Sequence, residues 1–174
     1  MAAGPTFTPI ATYTFTGSSS TFTFSSIPQT YTDLFISAAS LGATPNDGST
    51  LAFQFNGDTG TNYSINLMQG SGSAANAAYR QNFSRILTGY NSSFSAPSSY
   101  SGAVKFDIMN YSNSTTYKTC LSRFDVVDTT ASGPEQAVAL WRNTSAITSI
   151  KAFEDSGTNF VSGAVITLYG IASA

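Results

Sequence analysis

Ten residues near the C-terminus, Ser162 to Ile171 (SGAVITLYGI), constrain the fold more than any other stretch, because they demand an extended and well covered backbone. Side chains alternate along a strand, so Ala164, Ile166 and Leu168 fall on one face and Val165, Thr167, Tyr169 and Ile171 on the other. Both rows are mostly apolar. Such a strand belongs inside a sheet, with cover on both faces or a partner subunit over one of them. A domain that is locked by its last strand is incomplete until the whole chain has been made.

The same period-two alternation recurs upstream in short pieces separated by turn residues. Ile10–Phe15 and Thr21–Phe24, split by Gly17-Ser18-Ser19-Ser20, read as a first hairpin. Pro28 then breaks pairing, since it has no N–H to donate and holds Ile27 extended. Tyr31–Ser40 and Thr50–Phe55 follow on either side of the Asn46-Asp47-Gly48 turn. After Asn56-Gly57-Asp58-Thr59-Gly60, Asn62–Met68 alternates with Tyr63, Ile65 and Leu67 inward. From Gln69 to Gln81 the period is lost, and Ala74–Arg80 is expected to close into one short helical turn.

Phe83–Gly89 reads as a strand, and Tyr90–Ser101 as a Ser/Pro loop long enough for a crossover between sheets. Gly102–Tyr111 and Thr116–Val127 form an antiparallel pair, with Val104, Phe106 and Ile108 inward and Lys105 and Asp107 outward. Gln136–Arg142, Ala146–Phe153 and the final strand complete about ten short strands, more than one open flat sheet holds. The expectation is therefore all-β: an antiparallel two-sheet β-sandwich, jelly-roll-like, in a single domain over 1–174. Residues 1–8 are expected to form a flexible or partner-contacting arm. The final strand is expected to neighbour Ala146–Phe153 and the early strands.

Composition narrows the function classes. Charged residues are 9% of the 174, net charge is -2, and no Lys/Arg run occurs. That leaves little electrostatic grip on nucleic acid or an anionic membrane. Phe and Tyr number 13 and 9, which suits strands and argues against disorder. No stretch approaches the ~18 apolar residues of a membrane span. The start, Met1-Ala2-Ala3-Gly4-Pro5-Thr6, has no basic region leading into an apolar one, so synthesis in a host cytoplasm is expected. The single cysteine, Cys120, cannot pair within the chain and sits in an apolar alternating stretch as an inert thiol.

There are no histidines, which removes Ser-His-Asp and Cys-His catalysis and the commonest zinc ligand together. Asp107, Asp125, Asp128, Glu135, Glu154 and Asp155 read as solvated carboxylates on strand exteriors or in turns rather than as an acid/base pair. Asp47 and Asp58, each beside Asn and Gly, are the candidate oxygen donors for Ca²⁺, but the further acidic ligands at fixed spacing that a dedicated loop supplies are missing, and turn chemistry is the preferred reading. Trp141 and the tyrosines are the candidate sugar-stacking residues, against core packing. No catalytic, cofactor-binding or metal residue is assigned, no cofactor is expected, and the chain is read as not an enzyme.

Four segments carry a resemblance: FSSIPQTYT (Phe24 to Thr32), FNGDTGTNYS (Phe55 to Ser64), WRNTSAITSI (Trp141 to Ile150) and NFVSGAVITLYGI (Asn159 to Ile171). With them the chain resembles a group of small virion structural proteins of tailed bacteriophages, including cyanophages, over most of its length. The resemblance implies a jelly-roll module of the kind found on phage capsids and tail fibres, and it brings no catalytic or metal residue. Fibre modules sit behind a long shaft. This chain has only a few residues before its first strand, which favours a free-standing capsid cement or decoration protein.

The functional expectation is thus a trimeric cement protein on the capsid surface of a virion, clamping neighbouring copies of a major capsid protein. A closed ring would bury strand edges and apolar outer faces, with Tyr169 and Ile171 as candidate subunit-boundary residues. The alternatives are a tail-fibre or receptor-binding module and a carbohydrate-binding module, with a glycan as the less favoured partner.

Overall fold

The chain folds into strands because short stretches of alternating or continuous apolar residues are separated by glycine-rich or Asn-rich turns. The computed structural model describes residues 6–39, 50–70, 74–89, 102–125 and 134–172. In chain order the strands are β1 (Phe7–Thr14), β2 (Thr21–Phe24), β3 (Asp33–Ala39), β4 (Leu51–Phe55), β5 (Tyr63–Gly70) and β6 (Ala75–Phe83). They continue as β7 (Ile86–Leu87), β8 (Ala103–Ile108), β9 (Lys118–Asp125), β10 (Glu135–Trp141), β11 (Ile150–Glu154) and β12 (Val165–Ile171). The described residues contain no helix.

Two antiparallel sheets result. The large one has eight strands in the order β1-β12-β3-β8-β9-β10-β5-β6, and the small one has four in the order β2-β11-β4-β7. The all-β, two-sheet expectation holds. The core lies between the sheets, where the Phe53 and Phe106 rings stack at 4.5 Å and Phe55 meets Trp141 edge-on at 5.5 Å. Trp141, Tyr63, Phe53, Phe55, Phe106, Leu34 and Ile36 are all fully buried. Each contributes roughly 1.5–3 kcal/mol or more through the apolar surface that it removes from water.

The C-terminal stretch is an interior strand. β12 pairs with β1 on one side, through Tyr13↔Ile166, and with β3 on the other, through Ile36↔Leu168. It therefore ties the end of the chain to its beginning. Gly170 lies within it because the Tyr31 ring occupies the space where a side chain would start: a Cβ there would come within 2.3 Å of the ring.

Several local expectations are corrected. β1 and β2 do not form a hairpin, since β1 pairs with β12 in the large sheet and β2 pairs with β11 in the small one. Alternation marks a strand but carries no information about its partner. Phe7 and Thr8 are not part of an arm, because they pair with Ile171 and Gly170. Ala74–Arg80 is not helical: residues 75–80 pair with β5 as strand β6, where the ladder outweighs the local helix preference of alanine. The strand expected over 83–89 shrinks to Ile86–Leu87, with Phe83 ending β6.

Ala146–Phe153 begins as a strand only at Ile150 and joins the small sheet, so it does not neighbour β12. Its first residues are held out of any ladder by Asn56, which donates from Nδ2 to the Ala146 carbonyl (2.8 Å) and accepts at Oδ1 from the Thr148 and Ser149 amides (2.8 and 3.1 Å). The turn at Asn46-Asp47-Gly48 and the loop Tyr90–Ser101 lie outside the described residues.

Candidate interaction face

The segments that look most distinctive in the sequence are consumed by the fold. Asn56 and Gly57 both have positive φ, at 52° and 69°, and the Asp58 amide closes the turn on the Phe55 carbonyl at 2.9 Å. This two-residue turn uses the two residue types that tolerate left-handed backbone. It delivers the Asp58 carboxylate to the Trp141 indole, which donates from Nε1 to Oδ2 at 2.7 Å. Asn62 Nδ2 and the Gly60 amide also donate to that carboxylate, each at 2.9 Å. Tyr63 donates its hydroxyl to the Asp58 carbonyl and accepts from the Phe55 amide, both at 3.0 Å.

Burial works to raise the Asp58 pKa, but the bonds from Trp141, Asn62 and Gly60 outweigh it and hold the carboxyl below its ordinary value of 3.8. With its oxygens so engaged, Asp58 is a turn anchor. Asp47 lies outside the described residues. Trp141 is fully buried, so the sugar-stacking role expected of it has no surface to act from.

The remaining sequence segments converge on the same structural purpose. Gln29 Nε2 donates to the carbonyls of Ile27 (2.9 Å) and Ile147 (3.0 Å), Tyr111 donates its hydroxyl to the Pro28 carbonyl, and the Thr32 amide bonds the Ile171 carbonyl at 2.8 Å. Arg142 donates to Ser64 Oγ, to the Thr61 carbonyl (2.6 Å) and to Asn82 Oδ1 (2.9 Å).

The carboxylates are less solvated than expected. Glu135 and Glu154 are both buried, against the reading of them as exterior. Glu154 accepts from the Ser156 amide (3.0 Å), Ser156 Oγ (2.8 Å) and the Thr158 amide (2.7 Å), so it stabilises the turn after β11. Asp155 pairs with Arg85 through two contacts, one of them Nη2 to Oδ2 at 2.9 Å. Asp107 is half-buried on the outer side of β8, and that burial raises its pKa despite the nearby Arg123 and Lys105. The Asp125 side chain and Asp128 lie outside the described residues. Among the described residues, no group of three or more His, Cys, Asp or Glu is placed to hold a metal ion. Cys120 is buried, as expected, and burial pushes its thiol pKa upward.

What the fold leaves available is the outer face of the large sheet. Register places Tyr169, Phe35, Asp107, Leu121, Val138, Asn66 and Tyr79 in one row across seven strands. A neighbouring row runs Thr167, Ser37, Lys105, Arg123, Gln136, Met68 and Ala77. At one end Phe7, Phe35 and Tyr169 form an aromatic cluster, with centroids 5.7 to 6.5 Å apart. At the other end Met68 (62% exposed), Tyr79 (58%), Val138 (52%) and Leu121 (40%) stand in water. A shallow apolar depression lined by Met68, Gly70, Ala77, Pro134 and Gln136 adjoins them.

Alternation distinguishes inner from outer residues on strands such as β5, β8 and β10, though not on β6. It does not show that Leu121, Val138, Met68 and Tyr79 lie side by side, because that depends on the order β9-β10-β5-β6. Tyr169 and Ile171 do lie on this face, both half-buried. No protein-family model matches the sequence, and no curated protein matches it.

Proposed function

We propose that this chain is a non-enzymatic structural protein of a phage particle that works as cement on the capsid shell, gripping capsid subunits with the outer face of its large sheet. The observation that carries this reading is the exposed apolar patch of Met68, Tyr79, Leu121 and Val138 on the outer face of the large sheet. Contiguous apolar surface of this kind marks protein contact sites. Eight strands spaced ~4.8 Å apart and ~6 residues long give a face of roughly 700 Å², close to the ~800 Å² that each partner buries in a standard interface.

Strand order supports the architecture that the reading needs. With the hairpins β5–β6 and β9–β10 set aside, the other eight strands run β1-β12-β3-β8 and β2-β11-β4-β7. Two four-stranded sheets built this way support the eight-stranded jelly roll expected from the sequence, an architecture used by viral capsid and lectin domains. In this reading the two hairpins are insertions that widen one sheet from four strands to eight, and all four residues of the patch lie on the inserted strands.

The test is to mix purified protein with phage shells that lack it and follow co-sedimentation. Wild-type protein should bind, and the double variant Leu121→Lys/Val138→Lys should remain folded and fail to bind. Protein that ignores shells but is retained on host cells or glycans would overturn the cement reading in favour of a receptor-binding module.

A further inference from the structure

The four edges of the two sheets are not treated alike. In the large sheet, β1 carries Pro9, which has no N–H to offer, and its ladder is broken by a bulge between Pro9 and Ala11. In the small sheet, β2 has four residues and β7 has two, too short to template another strand. These are the ordinary means of closing an edge. β6 has none of them over its regular part: residues 75–80 pair without interruption to β5, contain no proline and carry a single charge, Arg80. Its side chains are exposed on both faces, apart from the half-buried Ala78 and Phe83. A left-handed Asn82 (φ 52°) and an irregular register appear only at its far end.

We infer that β6 is a docking edge for a second copy of this chain, which adds its own β6 antiparallel about a two-fold axis to give a continuous sixteen-stranded sheet. The occupant follows from the geometry and from self-complementarity. A two-fold axis normal to the sheet keeps outer faces outer, so it must pass through a residue pair and not between pairs. With the axis at Ala78, Ala77 faces Tyr79 of the second copy, Asn76 faces Arg80, and Ala75 faces Gln81. The strand's one charge never opposes itself, and each exposed Tyr79 ring covers the other copy's Ala77, beside Met68. A threefold ring closed by strand addition at β6 would need that strand to meet a second and different edge of the same kind, and the described residues offer none.

This inference does not depend on the virion reading, since it is tested on purified protein alone. Light scattering over a concentration series should give twice the 18.2 kDa chain mass. Ala77→Lys with Tyr79→Lys places like charges opposite each other across the axis, and should raise the dimer Kd by roughly 100-fold or more. Ala77→Lys with Tyr79→Glu places opposite charges there instead and should restore the dimer. Both positions are exposed, so the far-UV circular dichroism of all three proteins should coincide. A wild-type monomer or trimer, a Lys/Lys variant that keeps the wild-type mass, or a Lys/Glu variant that stays monomeric would each overturn the proposal.

Discussion

The Trp141 indole donates its only hydrogen bond to Asp58 across the end of the sandwich, at 2.7 Å, joining the last residue of β10 to the turn between β4 and β5. Trp141 is fully buried, so loss of this acceptor strands a buried donor. Asp58→Ala should therefore cost ~2–3 kcal/mol in urea denaturation. An unchanged midpoint would show that the turn holds without the carboxylate.

The same carboxylate predicts a pH dependence. Its folded pKa is lowered, so its contribution is present above the ordinary value of 3.8 and is lost as pH falls through the folded value. Asp107 works in the opposite sense: its raised folded pKa costs stability near neutral pH, and that cost fades on acidification. Asp58→Asn should flatten the loss of stability between pH 5 and pH 2, measured as urea midpoints, whereas Asp107→Asn should not. Identical acid limbs in the wild type and Asp58→Asn would refute the assignment.

Gly170 and Tyr31 form a second testable pair. A methyl group at 170 meets the Tyr31 ring at 2.3 Å, and the strand on either side of 170 is pinned by β1 and β3. Gly170→Ala should cost ~1–3 kcal/mol, as overpacking of a tight site does. In a Tyr31→Ala background the same change should cost much less, so a double-mutant cycle reads the contact directly. Additive costs would place the strain elsewhere.

Cys120 is fully buried on the inner side of β9, and burial holds its thiol protonated. Native protein should leave Ellman's reagent uncoloured over hours, whereas urea-unfolded protein should react at once with one thiol per chain. Rapid reaction of the native state would mean that β9 opens far more readily than its position between β8 and β10 implies.

Deleting Leu168 onward removes most of an interior strand and leaves β1 and β3 with unpaired neighbouring edges. The truncated protein should be found in the insoluble fraction after expression. A soluble and folded truncation would show that β12 is dispensable.

Much of the inner surface was legible in the sequence. Tyr63, Ile65 and Leu67 on β5, Val104, Phe106 and Ile108 on β8, and Ile166 and Leu168 on β12 all face the core as alternation predicts. That success has a local cause, since the side-chain period of a strand is fixed by its own backbone. The failures are equally instructive. Ala74–Arg80 lacks a period because both of its faces meet water, so nothing in the residues marks it as a strand until β5 pairs with it. Glu154 reads as an exterior acid until the Ser156 and Thr158 donors are folded onto it.

By itself, then, the sequence determined that this chain makes short strands, which side of most of them turns inward, and that one sheet is too few to hold them. Those properties depend on neighbours two residues away. Only the tertiary structure decided that β1 joins β12 and not β2, that Trp141 ends in the core and not on a sugar, and that Leu121, Val138, Met68 and Tyr79 assemble into one exposed patch beside β6, the last strand of the large sheet. Strand partners are chosen by the packing of residues far apart in the chain, and a pattern with period two is the same whichever partner is chosen.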